Sequence, residues 1–210
     1  MSLNEYLIEH FVQKAAFAHL AGISLERLDE LLAADAVPKA TYKSDGRSIV
    51  SSTFGEIEGH ESVAGEYLRP ECVRWTKIAD QAPTGLERSS VLDTLVAELR
   101  GELASYGFSN PEIEELIEDY VPSFFDGTFG LCVADPSGGA GIARKETLQA
   151  KLTKVTANGS NPSPEGMTRD ELLQLIDDYA AAAMPFSPAE YPRSSRKRLV
   201  DDLRPIVADS

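Results

Sequence analysis

Basic and hydroxyl side chains crowd one stretch of an otherwise acidic chain: Arg193, Ser194, Ser195, Arg196, Lys197 and Arg198 stand side by side. A proline-broken segment precedes them, and Leu199 and Leu203 follow at a spacing of four. A helix is therefore expected to begin here, with either serine as its cap. The free N–H groups of a first helical turn, together with the positive end of the dipole, favour an anion. Guanidinium groups add paired hydrogen bonds to carboxylate or phosphate. The spacing thus predicts an anion-binding site from Arg193, Ser194, Ser195, Arg196 and Arg198. Arg144 and Lys145, the other dense basic pair of the second half, would join it if the fold brings them alongside. The alternative is that these side chains only neutralise carboxylates, Asp201 and Asp202 on the same helix among them.

Acid/base chemistry needs only placed carboxylates and leaves no sequence pattern. Asp126, inside the most apolar stretch of the chain, and Glu56 are the candidates. Asp126 would either cap the next element or face a cavity, the cap being favoured because buried carboxylates are rare unless paired. Glu56-Ile-Glu-Gly-His60 sets two carboxylates near an imidazole, but His10, His19 and His60 are the only histidines and none is paired at helical spacing. No metal site is expected from them. Cys72 and Cys132 make no disulfide framework or zinc knuckle, and Cys132 in an apolar run reads as a buried, inert thiol. The glycine-rich stretch at 135–141 lacks the Gly-Lys-Ser/Thr end of a phosphate loop, so a connector is expected there, and no cofactor box is visible.

The chain of 210 residues carries 20 basic and 34 acidic side chains, a formal net charge of -14. That acidity disfavours nucleic acid and anionic membrane as partners. Residues 1–150 hold 12 basic against 25 acidic residues, or -13, and residues 151–210 hold 8 against 9, or -1. An anionic partner is repelled least by the C-terminal part. No leader pattern and no span-length apolar run is present, so a cytoplasmic protein is expected.

These residues must be positioned by a mainly α fold. Ser2 and Glu5 form a capping box for a helix carrying Tyr6, Leu7, Phe11, Ala15 and Ala18. A helix ends at Gly22, and after a tight turn Ser24 caps the second helix, which Pro38 stops. Asp45-Gly46 predicts a small hairpin within residues 41–54, and residues 55–89 carry little pattern. Ser90 and Asp93 suggest a capping box for a helix through Leu95, Leu99 and Leu103. Asn110 is expected to cap the next helix and Pro122 to interrupt it, with residues 123–133 a short helix at the centre of the core, or a strand. Further helices are expected over 142–155 and from Thr168 to Ala183. The division is a helix-turn-helix-like region with hairpin and extended segment over 1–85, then a helical domain over 86–210.

Over roughly its first fifty residues the chain resembles the winged helix-turn-helix of MerR-type regulators. The match is degenerate, because the would-be recognition helix offers Glu26, Asp29, Glu30 and Asp35 against Arg27 alone, where DNA contact calls for cationic and amide side chains. Further motifs are Ala-Gly-Ile-Ser and Leu-Asp-Glu-Leu within 21–31, Phe-Gly-Glu at 54–56 and Gly-Thr-Phe-Gly-Leu-Cys-Val at 127–133. Ile-Ala-Arg-Lys-Glu at 142–146 and Ser-Ser-Arg-Lys-Arg at 194–198 complete them. Together they resemble an uncharacterised bacterial family, a domain of unknown function labelled only with natural-product biosynthesis. The resemblance implies a role beside a biosynthetic pathway, and no catalytic residue. A protein binding a small anionic ligand or a protein partner is expected first. The alternatives are an enzyme working through carboxylates, and a transcriptional regulator.

Overall fold

The computed structural model describes residues 1–58 and 62–209. Helix α1 (Leu3–His10) opens on the expected capping box, Ser2 Oγ accepting from the Glu5 N–H at 3.2 Å and Glu5 Oε2 from the Ser2 N–H at 2.6 Å. It does not continue to Ala18. Phe11 is extended, β1 (Val12–Gln13) follows, and a new helix, α2 (Lys14–Ala21), starts after it. Tertiary packing overrides the local helical pattern here: the Phe11 ring stands edge-on to Tyr42 at 5.1 Å, and Val12 and Gln13 pair with a distant strand. Helix α2 ends at Gly22, and Ser24 caps α3 (Leu25–Ala33) by accepting from the Arg27 N–H at 3.1 Å. That helix stops short of Pro38, the chain turning away at Asp35 with φ 49°.

The expected hairpin is present as β2 (Tyr42–Ser44) and β3 (Ser48–Ser51), with Asp45 Oδ1 accepting from the N–H groups of Arg47 and Ser48 at 2.8 Å. It sits inside a larger antiparallel sheet with β4 (Gly55–Glu58) and β5 (Gly65–Leu68), in the order β1-β5-β2-β3-β4. Tyr42, Ile49, Ser51, Ile57 and Tyr67 are buried on one face of it. Lys43 and Val50 are exposed on the other, where Glu66 bridges Lys14 and Lys43 at 2.9 Å each. This alternation is what a sheet covered on one side requires.

A 3₁₀ turn at Pro70–Cys72 leads into α4 (Val73–Gln81), whose buried Trp75 donates from Nε1 to the Pro136 carbonyl at 2.8 Å. Helix α5 (Glu87–Ser105) begins before the expected Ser90 cap and buries Val91, Leu95, Leu99 and Leu103. Ser109, not Asn110, caps α6 (Asn110–Phe125), pairing with Glu112 through its own N–H at 2.8 Å. Pro122 does not break that helix. It removes one backbone donor, and continuation buries Phe124 against Trp75 at 4.9 Å and Phe125 against Phe124 at 5.0 Å. The central apolar stretch continues as the short helix α7 (Thr128–Cys132), buried as expected.

Two long helices complete the body, α8 (Gly139–Val155) and α9 (Arg169–Ala182), the latter with the predicted Thr168/Glu171 capping box. After α9, Ala183 bridges Val133, and a strap over 184–190 crosses to the sheet. A 3₁₀ turn (Tyr191–Arg193), a π-helical turn (Lys197–Asp201) and α10 (Leu203–Ala208) end the described chain. The largest core joins Phe17, Leu28 and Trp75 to Leu95, Leu99 and Phe124, so apolar packing runs straight across residue 85. A second core lies between α8, α9 and the C-terminal turns, and a third between α1, the sheet and Met184 of the strap. None of the described helices is long and apolar enough to cross a membrane.

Candidate functional site

All of the basic residues at 193–198 except Arg198 acquire separate partners inside the fold. Arg196 donates from Nη1 to the carbonyls of Ala180 at 2.7 Å and Ala183 at 2.9 Å, closing the C-terminal end of α9, where carbonyls lack helical donors. Arg193 lies over the Phe54 ring at 4.9 Å, and Lys197 donates to Asp202 at 2.6 Å. Ser194 is buried and caps the following turn by accepting from the Lys197 N–H at 3.0 Å. Ser195 shares a 2.8 Å hydrogen bond with the Tyr179 hydroxyl and reaches Gln149 at 3.3 Å. Arg198 is exposed. Lys145 is buried, 3% exposed, and donates to Glu146 at 2.8 Å. Burial opposes its charge, but the neighbouring Cys132 sulfur and Glu146 carboxylate raise it by more, so the ammonium is held above the ordinary lysine range. Arg196→Ala is accordingly expected to lower stability by about 1 to 3 kcal/mol, through orphaned helix carbonyls. Chemical denaturation measures that loss directly.

The glycine-rich loop before α8 also has a structural reason. A Cβ on Gly139 would meet Glu98 Cβ and the Leu95 carbonyl at 2.9 Å, and one on Gly141 would strike the Asp135 carbonyl. Glycine lets α8 lie directly on α5. The anion position at the start of α8 is filled by the protein itself: Glu98 Oε2 accepts from the Gly139 N–H at 2.8 Å, and Arg74 holds the Glu98 carboxylate at 2.5 Å.

The two carboxylate candidates are surface groups. Asp126 ends α6 and is 66% exposed, with Lys39 Nζ 3.8 Å away. Glu56 is exposed on β4, and His60 lies outside the described residues. Among the described residues no group of three or more His, Cys, Asp or Glu comes together to hold a metal. Cys72 is buried and its thiol is pushed up to about 12 by that burial, while burial also raises Cys132. The Cys72 thiol is thus kept protonated. On α3, Arg27 is taken up by Glu30, Asp80 and Glu87, each at 3.1 Å, so the one cation of that helix is neutralised in place.

Arg144 and Arg198 are the two exposed guanidinium groups of the predicted set without a hydrogen-bond or ring partner among the described residues, and of the two Arg144 lines a cleft. Among the described residues Arg144 makes no ion pair either. The cleft measures about 440 Å³ and lies between the end of α5, the start of α8 and the end of α9. The other walls are Ala134, Ala140, Gly141, Ala181 and Ala182, with Glu102 and Asp135. Asp135 Oδ1 accepts from the Ser137 N–H at 3.0 Å, which fixes the carboxylate in its loop. Tyr106, after α5, feels the same charges: burial and Glu102 raise its hydroxyl above the ordinary range, and Arg144 pulls it down. The arrangement offers one unpaired guanidinium over a floor of small side chains, which suits a carboxylate or phosphate with a compact body.

Two buried polar groups gave no sequence signal. Arg69, 3% exposed, donates to the carbonyls of Gly130 at 3.1 Å, Val133 at 3.3 Å and Ala134 at 2.8 Å. Glu190 on the strap is fully buried, and its Oε2 accepts from the Tyr42 hydroxyl at 2.5 Å and from Ser187 Oγ at 2.7 Å. Tyr6 donates to the neighbouring Pro185 carbonyl at 2.8 Å. Burial, with Tyr6 and Glu190 nearby, drives the Tyr42 hydroxyl well above its ordinary range, so it stays a donor. The burial of Arg69 and Glu190 is explained by partners remote in sequence, Gly130 to Ala134 for Arg69 and Tyr42 for Glu190, which no local spacing could have announced.

No curated protein and no solved structure matches the chain. A family model does, over residues 89–207, more than half of the chain, and every residue lining the Arg144 cleft falls inside that range. On this match the chain belongs to a family of unknown function, DUF6058.

Proposed function

We propose that this protein binds a small molecule through a carboxylate or phosphate group held by Arg144 in the cleft between α5, α8 and α9. The observation that carries the reading is the state of the guanidinium: it lines a cleft of about 440 Å³ and has no protein partner among the described residues. The basic cluster at 193–198 supports the fold in this reading, and Arg196, which ends beside the Ala181–Ala182 wall, keeps that wall in place. The resemblance to biosynthesis proteins suggests an intermediate or effector of such a pathway as the ligand. Neither an enzyme nor a regulator gains support from a particular contact: Asp126 and Glu56 are surface groups, and Arg27 is already paired.

A thermal-shift screen of wild type and Arg144→Ala against small carboxylates and phosphate esters tests the reading. Ligand at a hundred times its dissociation constant adds about 2.7 kcal/mol, a rise of about 5 to 10 °C for a chain of this size. The rise is expected in wild type and lost in Arg144→Ala, whose unliganded midpoint stays within about 2 °C of wild type because the side chain is exposed and unpaired. An equal rise in both proteins would remove Arg144 from the site.

A further inference from the structure

The charges around the cleft ask for more of a ligand than the acid group that Arg144 would hold. One guanidinium, Arg144, faces two carboxylates, Glu102 and Asp135, and all three line the same space. Neither carboxylate has an ion-pair partner within 4 Å among the described residues. A carboxylate or phosphate entering alone would bring a further negative charge to a site whose net charge is already negative. A ligand that also carries an ammonium group would pair with the guanidinium at one end and with the carboxylates at the other. The walls between are Ala134, Ala140, Gly141, Ala181 and Ala182, whose short side chains carry no polar group and leave room for a few methylene groups.

We infer that the ligand is zwitterionic, a small amino acid or aminoacyl-like molecule, with its acid group on Arg144 and its ammonium between Glu102 and Asp135. This rests on the cleft being the ligand site and adds the chemical class of the ligand. The two carboxylates then act as a specificity device, favouring amino acids over plain acids of the same length.

The test is isothermal titration of the full chain with matched pairs: alanine and β-alanine against propionate, 4-aminobutyrate against butyrate, 5-aminovalerate against valerate. At least one amino acid is expected to bind about tenfold or more tightly than the acid of the same chain length. Glu102→Gln with Asp135→Asn should erase that gain, and because both substitutions keep an acceptor oxygen, the Ser137 contact and the fold are retained. Arg144→Ala should abolish binding of both members of the pair. If acids bind and the amino acids bind no better, the zwitterion inference fails while the cleft stands. If Arg144→Ala leaves the affinities unchanged, the cleft itself is not the site. No binding by any of these compounds at millimolar concentration overturns the zwitterion inference.

Discussion

Arg69→Met is expected to lower the folding free energy by about 3 to 5 kcal/mol, among the largest losses any single side chain here can give. The guanidinium enters from the end of β5 and satisfies the carbonyls of Gly130, Val133 and Ala134 where α7 ends, while its Nε holds Glu71 at 2.8 Å. Those carbonyls have no helical donor, because a helix leaves its last C=O groups open. Methionine keeps the apolar volume of the stem and removes every donor, so buried acceptors are left unpaired at the junction of sheet, α7 and strap. Arg69→Lys should recover only part of the loss, since an ammonium cannot present the planar fork that reaches three carbonyls at once. Urea unfolding followed by circular dichroism measures both. A loss below about 1 kcal/mol for Arg69→Met would show that water replaces the guanidinium and that the junction does not depend on it.

Gly127→Ala should cost about 2 to 5 kcal/mol, from two causes that add. Gly127 has φ 82°, and a Cβ there would stand 2.5 Å from the Lys39 carbonyl oxygen. That oxygen cannot easily withdraw, because the Lys39 N–H donates to the Phe125 carbonyl at 3.0 Å and the Thr41 N–H to the Tyr67 carbonyl at 2.9 Å. Gly85 supplies the control: its φ of 86° is similar, but no atom lies within 4 Å of its added Cβ. Gly85→Ala should cost only about 1 to 2 kcal/mol, the conformational part alone. Equal losses at the two sites would mean that the close approach of residues 39–41 to the turn after α6 contributes nothing.

These two sites show why the sequence could be read in some places and not in others. Contacts spanning three or four residues were legible: the capping boxes at Ser2/Glu5 and Thr168/Glu171, the Ser24 cap after Gly22, and the Asp45-Gly46 hairpin all form as the residue types dictate. Elements whose limits depend on distant partners were not. Phe11 leaves α1 because Tyr42 offers its ring a buried edge, and α6 passes through Pro122 because Trp75 waits for Phe124. Residues 55–68 gave no strand pattern because two of their strands belong to a sheet completed by residues 12–13 and 42–51.

The same division runs through the candidate site. Arg144 could be picked out as a basic residue near the start of a helix, but its lack of partners, which gives it its interest, is a property of the folded surface. Arg193 and Arg196 looked alike in the sequence and differ in the fold only through Phe54 and the end of α9. Glu102 and Asp135 carried no signal, because nothing in the spacing of residues 102, 135 and 144 says that they border one cleft.

The most direct measurement is a crystal structure of the chain soaked with the compound that gives the largest thermal rise. Density is expected in the α5/α8/α9 cleft with an acid group within hydrogen-bond distance of the Arg144 guanidinium, and Arg196 still on the carbonyls of Ala180 and Ala183. A ligand seated instead on Ser194, Arg196 and Arg198, with Arg196 drawn off the end of α9, would contradict the assignment of the cleft.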